Sequence, residues 1–203
     1  MATFNSAGSG NANADATWTE SGQPAAGDHA IIASGHTVTL TAVEAWGSTR
    51  VIGTLDGDDN VLTLNGSGDD NTFRRDGVLT DLSVTITGGA NKRVKYNSGS
   101  GNIDNLVINN SGNTTYAGDG SSSTDLPIDG NLTITAGTFS TDATHNGGLT
   151  VTGDVSVTGT LTGNASAISM GSLTIADGGT YNGTTGTTLI LNETGGYAWK
   201  NDE

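Results

Sequence analysis

The chain has no cysteine in its 203 residues, which excludes a disulfide framework, a thiolate metal site and a cysteine nucleophile. Its two prolines exclude a proline-rich linker or a collagen-like repeat. Aromatic residues make up 5% and all hydrophobic residues 33%, so a compact core of ordinary shape would be thinly supplied. Basic residues number 7 against 21 acidic ones, for a formal net charge of −14. Phosphate backbones and anionic bilayers are both held by concentrated Lys and Arg, so neither nucleic acid nor a membrane is an expected partner. Charged residues are only 14% of the chain, too few for a charge-extended disordered polymer. The longest plainly apolar run, Ala30-Ile31-Ile32-Ala33, is far too short to span a bilayer. The opening residues, Met1 to Gly8, have no basic region followed by an apolar one, and the expectation is a protein made without a secretory signal.

What is abundant is glycine, 32 residues, together with Thr, Asn and Ser. Short apolar alternations recur, as in Thr37-Val38-Thr39-Leu40, Val61-Leu62-Thr63-Leu64, Leu82-Ser83-Val84-Thr85-Ile86, Leu132-Thr133-Ile134 and Leu173-Thr174-Ile175. Apolar residues on one side and Thr or Ser on the other are the period-two signature of a half-buried strand. Asn-Gly, Gly-Gly, Asp-Gly and Ser-Gly pairs between the runs supply turn positions. No segment holds a helical period, and strong helix formers are scarce. The chain reads as all-β.

A repeat is superimposed on the strands. Gly130-Asn131-Leu132-Thr133-Ile134 recurs as Gly153-Asp154-Val155-Ser156-Val157 and as Gly171-Ser172-Leu173-Thr174-Ile175, each followed by a glycine corner and a further apolar or aromatic residue. The first apolar positions Leu82, Leu106, Leu132, Val155 and Leu173 define coils of about 18–26 residues, the length that two or three short strands with corners require. The expected fold is a single-chain, right-handed parallel β-solenoid, in which each strand pairs with its equivalents one coil above and below. An antiparallel β-sandwich or jelly roll is the alternative, because it too is built from many short strands. Residues 1–27 read as an N-terminal arm or cap over the first coil, and 28–203 as the solenoid body. Tyr116 to Asp125 reads as a protruding loop, and Tyr197 and Trp199 as a plug for the last coil.

The segment from Thr17-Trp18 through Gly22-Gln23-Pro24, Gly27-Asp28-His29 and Gly35-His36 to Leu40, with the repeat style that follows it, resembles the start of β-solenoid passengers in bacterial surface adhesins and in structural proteins of tailed phages. For a short chain lacking an export signal, the resemblance implies a non-enzymatic phage virion protein. Its expected role is capsid decoration or cement, on the capsid exterior and bound to the major capsid protein. The chain would be made in the host cytoplasm and would form a homo-oligomer, a trimer suiting threefold capsid sites. A tail-fibre or cell-surface adhesin module that binds host glycans is the alternative, with Trp46, Tyr96, Tyr116 and Tyr181 as its aromatic platforms.

Candidate sites are few. Asp56, Asp58 and Asp59 resemble part of a calcium loop, with oxygens at alternating positions, but Ser67 stands where a bidentate Glu belongs. A solvated turn before the strand at 61–64 is the simpler account of them, and no metal is expected; Asp69-Asp70 is the other dense acidic pair. His29, His36 and His145 lack the neighbours that would complete a zinc set. No nucleophile elbow, phosphate loop or dinucleotide fingerprint is present, and no cofactor is expected. Thr-x-Thr pairs such as Thr85/Thr87 and Thr133/Thr135 would stack into hydroxyl and methyl ladders of the kind that ice-binding solenoids display, although Thr is also the ordinary outward residue of such strands. Charge placement is the remaining anomaly. Arg74, Arg75, Lys92, Arg93 and Lys95 fall within one short stretch of an acidic chain. On loops projecting from adjacent coils they would form a basic patch for docking an acidic partner.

Overall fold

The computed structural model describes residues 1–67, 72–118 and 124–192, together with the backbone of 199–201. The chain winds into a parallel β-solenoid of about 8 turns. Every pairing between its strands is parallel, which excludes the antiparallel sandwich. A turn lays down up to three short strands, and the stacked turns form a three-sided rod. The first face runs from Thr3–Asn5 through His29–Ile32, Ser48–Val51, Phe73–Arg75 and Lys92–Tyr96. The second contains Gly10–Asn11, Thr37–Thr39, Thr54–Asp56 and Val78–Thr80, and later Leu126–Ile128, Leu149–Val151, Ala167–Met170 and Thr188–Leu191. The third begins with Glu44–Trp46, Val61–Leu64 and Ser83–Thr87 and ends with Val155–Val157, Leu173–Ile175 and Trp199–Asn201.

Two strands, Leu106–Ala117 and Leu132–Ser140, are long enough to serve two faces. Each starts on the third face and, as one continuous element, turns the corner onto the first face of the next turn. The corner falls at Gly112 and Gly137, both at positive φ, 73° and 81°. That conformation costs glycine nothing and other residues more. The register shifts on either side of Asn109 absorb the bend.

The interior is assembled from columns, not from a globular centre. Leu62, Val84, Leu106, Leu132, Val155 and Leu173 stand opposite one another on successive turns, and each is almost wholly buried. The column places Val84, not Leu82, opposite Leu106, so the strand pairs two residues later than its first apolar residue suggests. Leu82 is nevertheless fully buried at the corner. Small residues let turns approach closely at the corners. A Cβ on Gly99 would lie 1.7 Å from the carbonyl oxygen of Gly77, a clash that no local adjustment relieves.

Residues 1–27 take part in the stack. Thr3–Asn5 pairs with His29–Ile32, and Gly10–Asn11 with Thr37–Thr39. The third side of this end turn is closed by Trp18, whose Nε1 donates to the Ala12 carbonyl at 2.8 Å. Its ring meets Trp46 edge-on with centroids 5.9 Å apart. Tyr116 and Ala117, expected in a loop, lie within the strand Leu106–Ala117. The rest of that expected loop is largely outside the described residues, as are Tyr197 and the side chain of Trp199. Column membership makes a direct test possible. Ile134 is fully buried while its neighbour Thr133 points outward, so Ile134→Ala is expected to cost about 2–5 kcal/mol. Thr133→Ala should cost about 0.5 kcal/mol or less, both read from chemical denaturation; equal costs would contradict the assigned register.

Candidate functional site: a basic face and an acidic corner

Six of the seven basic residues lie on three strands of the first face that pair consecutively: Arg50 on Ser48–Val51, Arg74 and Arg75 on Phe73–Arg75, and Lys92, Arg93 and Lys95 on Lys92–Tyr96. They sit on strands, not on projecting loops, and strand alternation sends them in different directions. Arg50, Arg74 and Lys95 share one register column and point outward, one turn apart at the inter-strand spacing of about 4.8 Å. Three cations in one column repel unless something lies between them. Asp76 does: its carboxylate lies 2.8 Å from Arg50 Nε and 2.8 Å from Arg74 Nε, and it accepts a hydrogen bond from Asn97 Nδ2 at 2.7 Å. The Arg50 N–H points at the carboxylate, whereas the Arg74 contact is an ion pair with its N–H out of line. Burial raises the Asp76 pKa, but the hydrogen bonds from Arg50 and Asn97 and the charge of Arg74 outweigh it and hold the carboxyl below its usual range.

The remaining candidates of this group are placed differently. Lys92 occupies an inward position opposite Thr115 and is fully buried, so it is not part of a docking surface. Arg75 stands in the inward column between Val51 and Tyr96, its guanidinium 3.8 Å from the Tyr96 ring centroid and donating to the Gly101 carbonyl. Its work is packing. Arg93 points outward, 5.2 Å from the Tyr116 ring centroid and 3.7 Å from the Asp142 carboxylate. The outward surface is therefore the column Arg50, Arg74 and Lys95, flanked by Arg93. Arg50 escapes a reading of local charge clusters, yet it precedes Arg74 by one turn of the repeat, and that period is the signal that locates it.

The opposite charge gathers where the second face turns into the third. Asp58, Asp59, Asp81 and Asp129 are exposed there and Asp104 is half-buried. Backbone hydrogen bonds place them on successive turns: Asp59 N–H donates to the Asp81 carbonyl, Asp104 N–H to Leu82, and Gly130 N–H to Asp104. Burial raises the Asp104 pKa, and the negative charges of Asp81, Asp129 and Asp59 push it up further. Among the described residues, ion pairs engage Asp76 and Asp142 but none of this corner group.

The calcium-like triad does not converge. Asp56 points out from the second face beside Thr39 and Thr80, while Asp58 and Asp59 make the following turn at φ of 47° and 60°. Among the described residues no three carboxylates or imidazoles gather around a common point. The Asp69-Asp70 pair lies outside the described residues. His29 and His36 each meet a serine hydroxyl, Ser48 at 2.7 Å and Ser6 at 2.8 Å. His145 Nδ1 lies 3.5 Å from Asp142. Of the aromatic platforms, Trp46 and Tyr96 are in the core. The hydroxyl column Thr63, Thr85, Thr133, Ser156 and Thr174 is interrupted by Val107. A shallow crease floored by Gly112, Gly137, Gly159 and Gly178 and lined by Asn113, Thr114, Thr138 and Thr160 offers no titratable group. Among the described residues no helix is long and apolar enough to cross a membrane.

Comparison with protein-family models, with curated proteins and with solved structures finds no match for this chain.

The Asp76 arrangement has a measurable consequence. A carboxyl whose folded pKa is depressed stabilises the fold above its ordinary pKa and loses that contribution as pH falls through the folded value. Asp76→Asn should cost about 1–3 kcal/mol at pH 7. The difference in Tm between variant and parent should shrink as pH drops below about 4; a difference independent of pH would show that the carboxylate charge is not what binds the column.

Proposed function

We propose that this chain is a non-enzymatic structural protein whose task is attachment, with the first face as its assembly surface. The observation behind this reading is the collection of six of seven basic residues on three adjoining strands of a body with net charge −14. Arg50 and Arg74 share a single carboxylate, so two guanidiniums meet one negative charge there and both side chains stay partly exposed to solvent. Such a face attracts an acidic protein surface and orients it, because the rest of this acidic body repels that partner. The stacked strands supply a stiff support with side chains at fixed heights. The setting that suits this design, and that the resemblance of residues 17–40 implies, is the outside of a tailed-phage capsid, with the major capsid protein as the acidic partner.

The test is occupancy of purified particles. Lys95→Glu removes one cation while keeping Arg50, Arg74 and Asp76, and Arg50→Glu with Arg74→Glu and Lys95→Glu removes the whole column. The triple variant, checked for folding by circular dichroism, should show occupancy reduced about tenfold or more at about 0.1 M salt, with the single variant intermediate. Occupancy unchanged in both would discard the basic face as the attachment surface.

A further inference from the structure

The basic column and the acidic corner are built on the same three turns. Arg50 and Asp59 belong to one turn, Arg74 and Asp81 to the next, Lys95 and Asp104 to the third. Each ladder therefore climbs by the same step of about 4.8 Å, in the same order, and the two start at the same level. They occupy different sides of the rod, the first face and the corner between the second and third. One copy cannot bring its own two ladders together. A neighbouring copy standing parallel and unshifted can.

We propose that this chain assembles with copies of itself, side by side and at equal height, by setting Arg50, Arg74 and Lys95 of one copy against Asp59, Asp81 and Asp104 of the next. This rests on the reading of the first face as an assembly surface and names the acidic surface it meets. Three features of the molecule favour a second copy over an unrelated acidic partner. Each cation of the column has a carboxylate on its own turn, and the acidic ladder continues one turn further to Asp129. The match in spacing follows from the shared backbone repeat and needs no coincidence. The corner carboxylates are also left without ion pairs among the described residues, although charges of one sign stacked one turn apart repel. A slip by one turn in one direction would strand a cation, and in the other would set Lys95 against Asp129. Because the two surfaces differ, the contact is heterologous, and a rotation about an axis parallel to the rod closes it into a ring of three or more copies.

The experiment measures mass and height separately on the full chain. Sedimentation should give a multiple of at least three times 20.3 kDa at about 0.01 M salt and dissociation towards the single chain at about 1 M, where charges are screened within about 3 Å. Asp59→Lys, Asp81→Lys and Asp104→Lys together should weaken association about a hundredfold or more. Joining them to Arg50→Glu, Arg74→Glu and Lys95→Glu, which exchanges the two ladders, should restore it. If the exchanged variant does not fold, Asp59→Asn with Asp81→Asn and Asp104→Asn, which leaves the Asp76 cluster intact, should still dissociate the ring. Carbodiimide coupling in a mixture of isotopically heavy and light chains should join Lys95 of one copy to Asp104 of another. Coupling of Lys95 to Asp81 or Asp129 instead would overturn equal height. A single chain at every salt concentration would overturn self-assembly, while particle occupancy of the basic-face variants would still decide the broader attachment reading. Loss of occupancy in the basic-face variants but not in the Asp→Asn variant would place the face against the capsid and not against a second copy.

Discussion

Hydrogen bonding between equivalent strands of neighbouring turns is the constraint on which the rest of this molecule depends. A chain with 33% hydrophobic residues does not fill a globular centre, but a rod three short strands around has little centre to fill. Backbone groups that would be costly to bury alone are satisfied by the turn above and the turn below. The apolar residues then need only form columns, one or two to a strand, as the series from Leu62 to Leu173 does. Corners are the vulnerable points, because there the ladder breaks and the chain must reverse direction in a few residues. Glycine and left-handed aspartate occupy them, and close packing of Gly99 on Gly77 shows how little space remains.

The same stacking explains how the chain handles its few cations. A strand alternates strictly, so adjacent basic residues are separated by direction: Lys92 goes in, Arg93 out, Lys95 out, with Val94 between them facing the interior. Stacking then aligns residues that are distant in sequence, and Arg50, Arg74 and Lys95 meet in one column. Asp76, held by two guanidiniums and an amide, makes that alignment tolerable. The cation column is thus part of the fold as well as of its surface.

Much of the architecture is legible in the sequence because period-two alternation and a drifting coil repeat are both local signals. Gly130 to Ile175 displays them most clearly, and its strands fall where the alternation puts them. The first turn is harder to read, since residues 1–27 are Gly, Asn, Ala and Ser-rich and their strands are only three and two residues long. The basic patch was legible as a cluster but not as a surface. A polar residue at an inward position defeats the rule that charge faces water, and both Lys92 and Arg75 take such positions, Arg75 against the buried Tyr96 ring. Arg50 was missed for the opposite reason, since linear distance conceals what one turn of winding brings together.

Placing both charge series on the same turns also affects how such a rod can change length over generations. Duplicating or deleting a complete turn outside the stretch from Arg50 to Asp104 moves both series by the same amount. Their mutual alignment is inherited without any compensating substitution. Growth at either end is therefore free to proceed, whereas a partial insertion inside one turn would offset one series from the other and be felt at once.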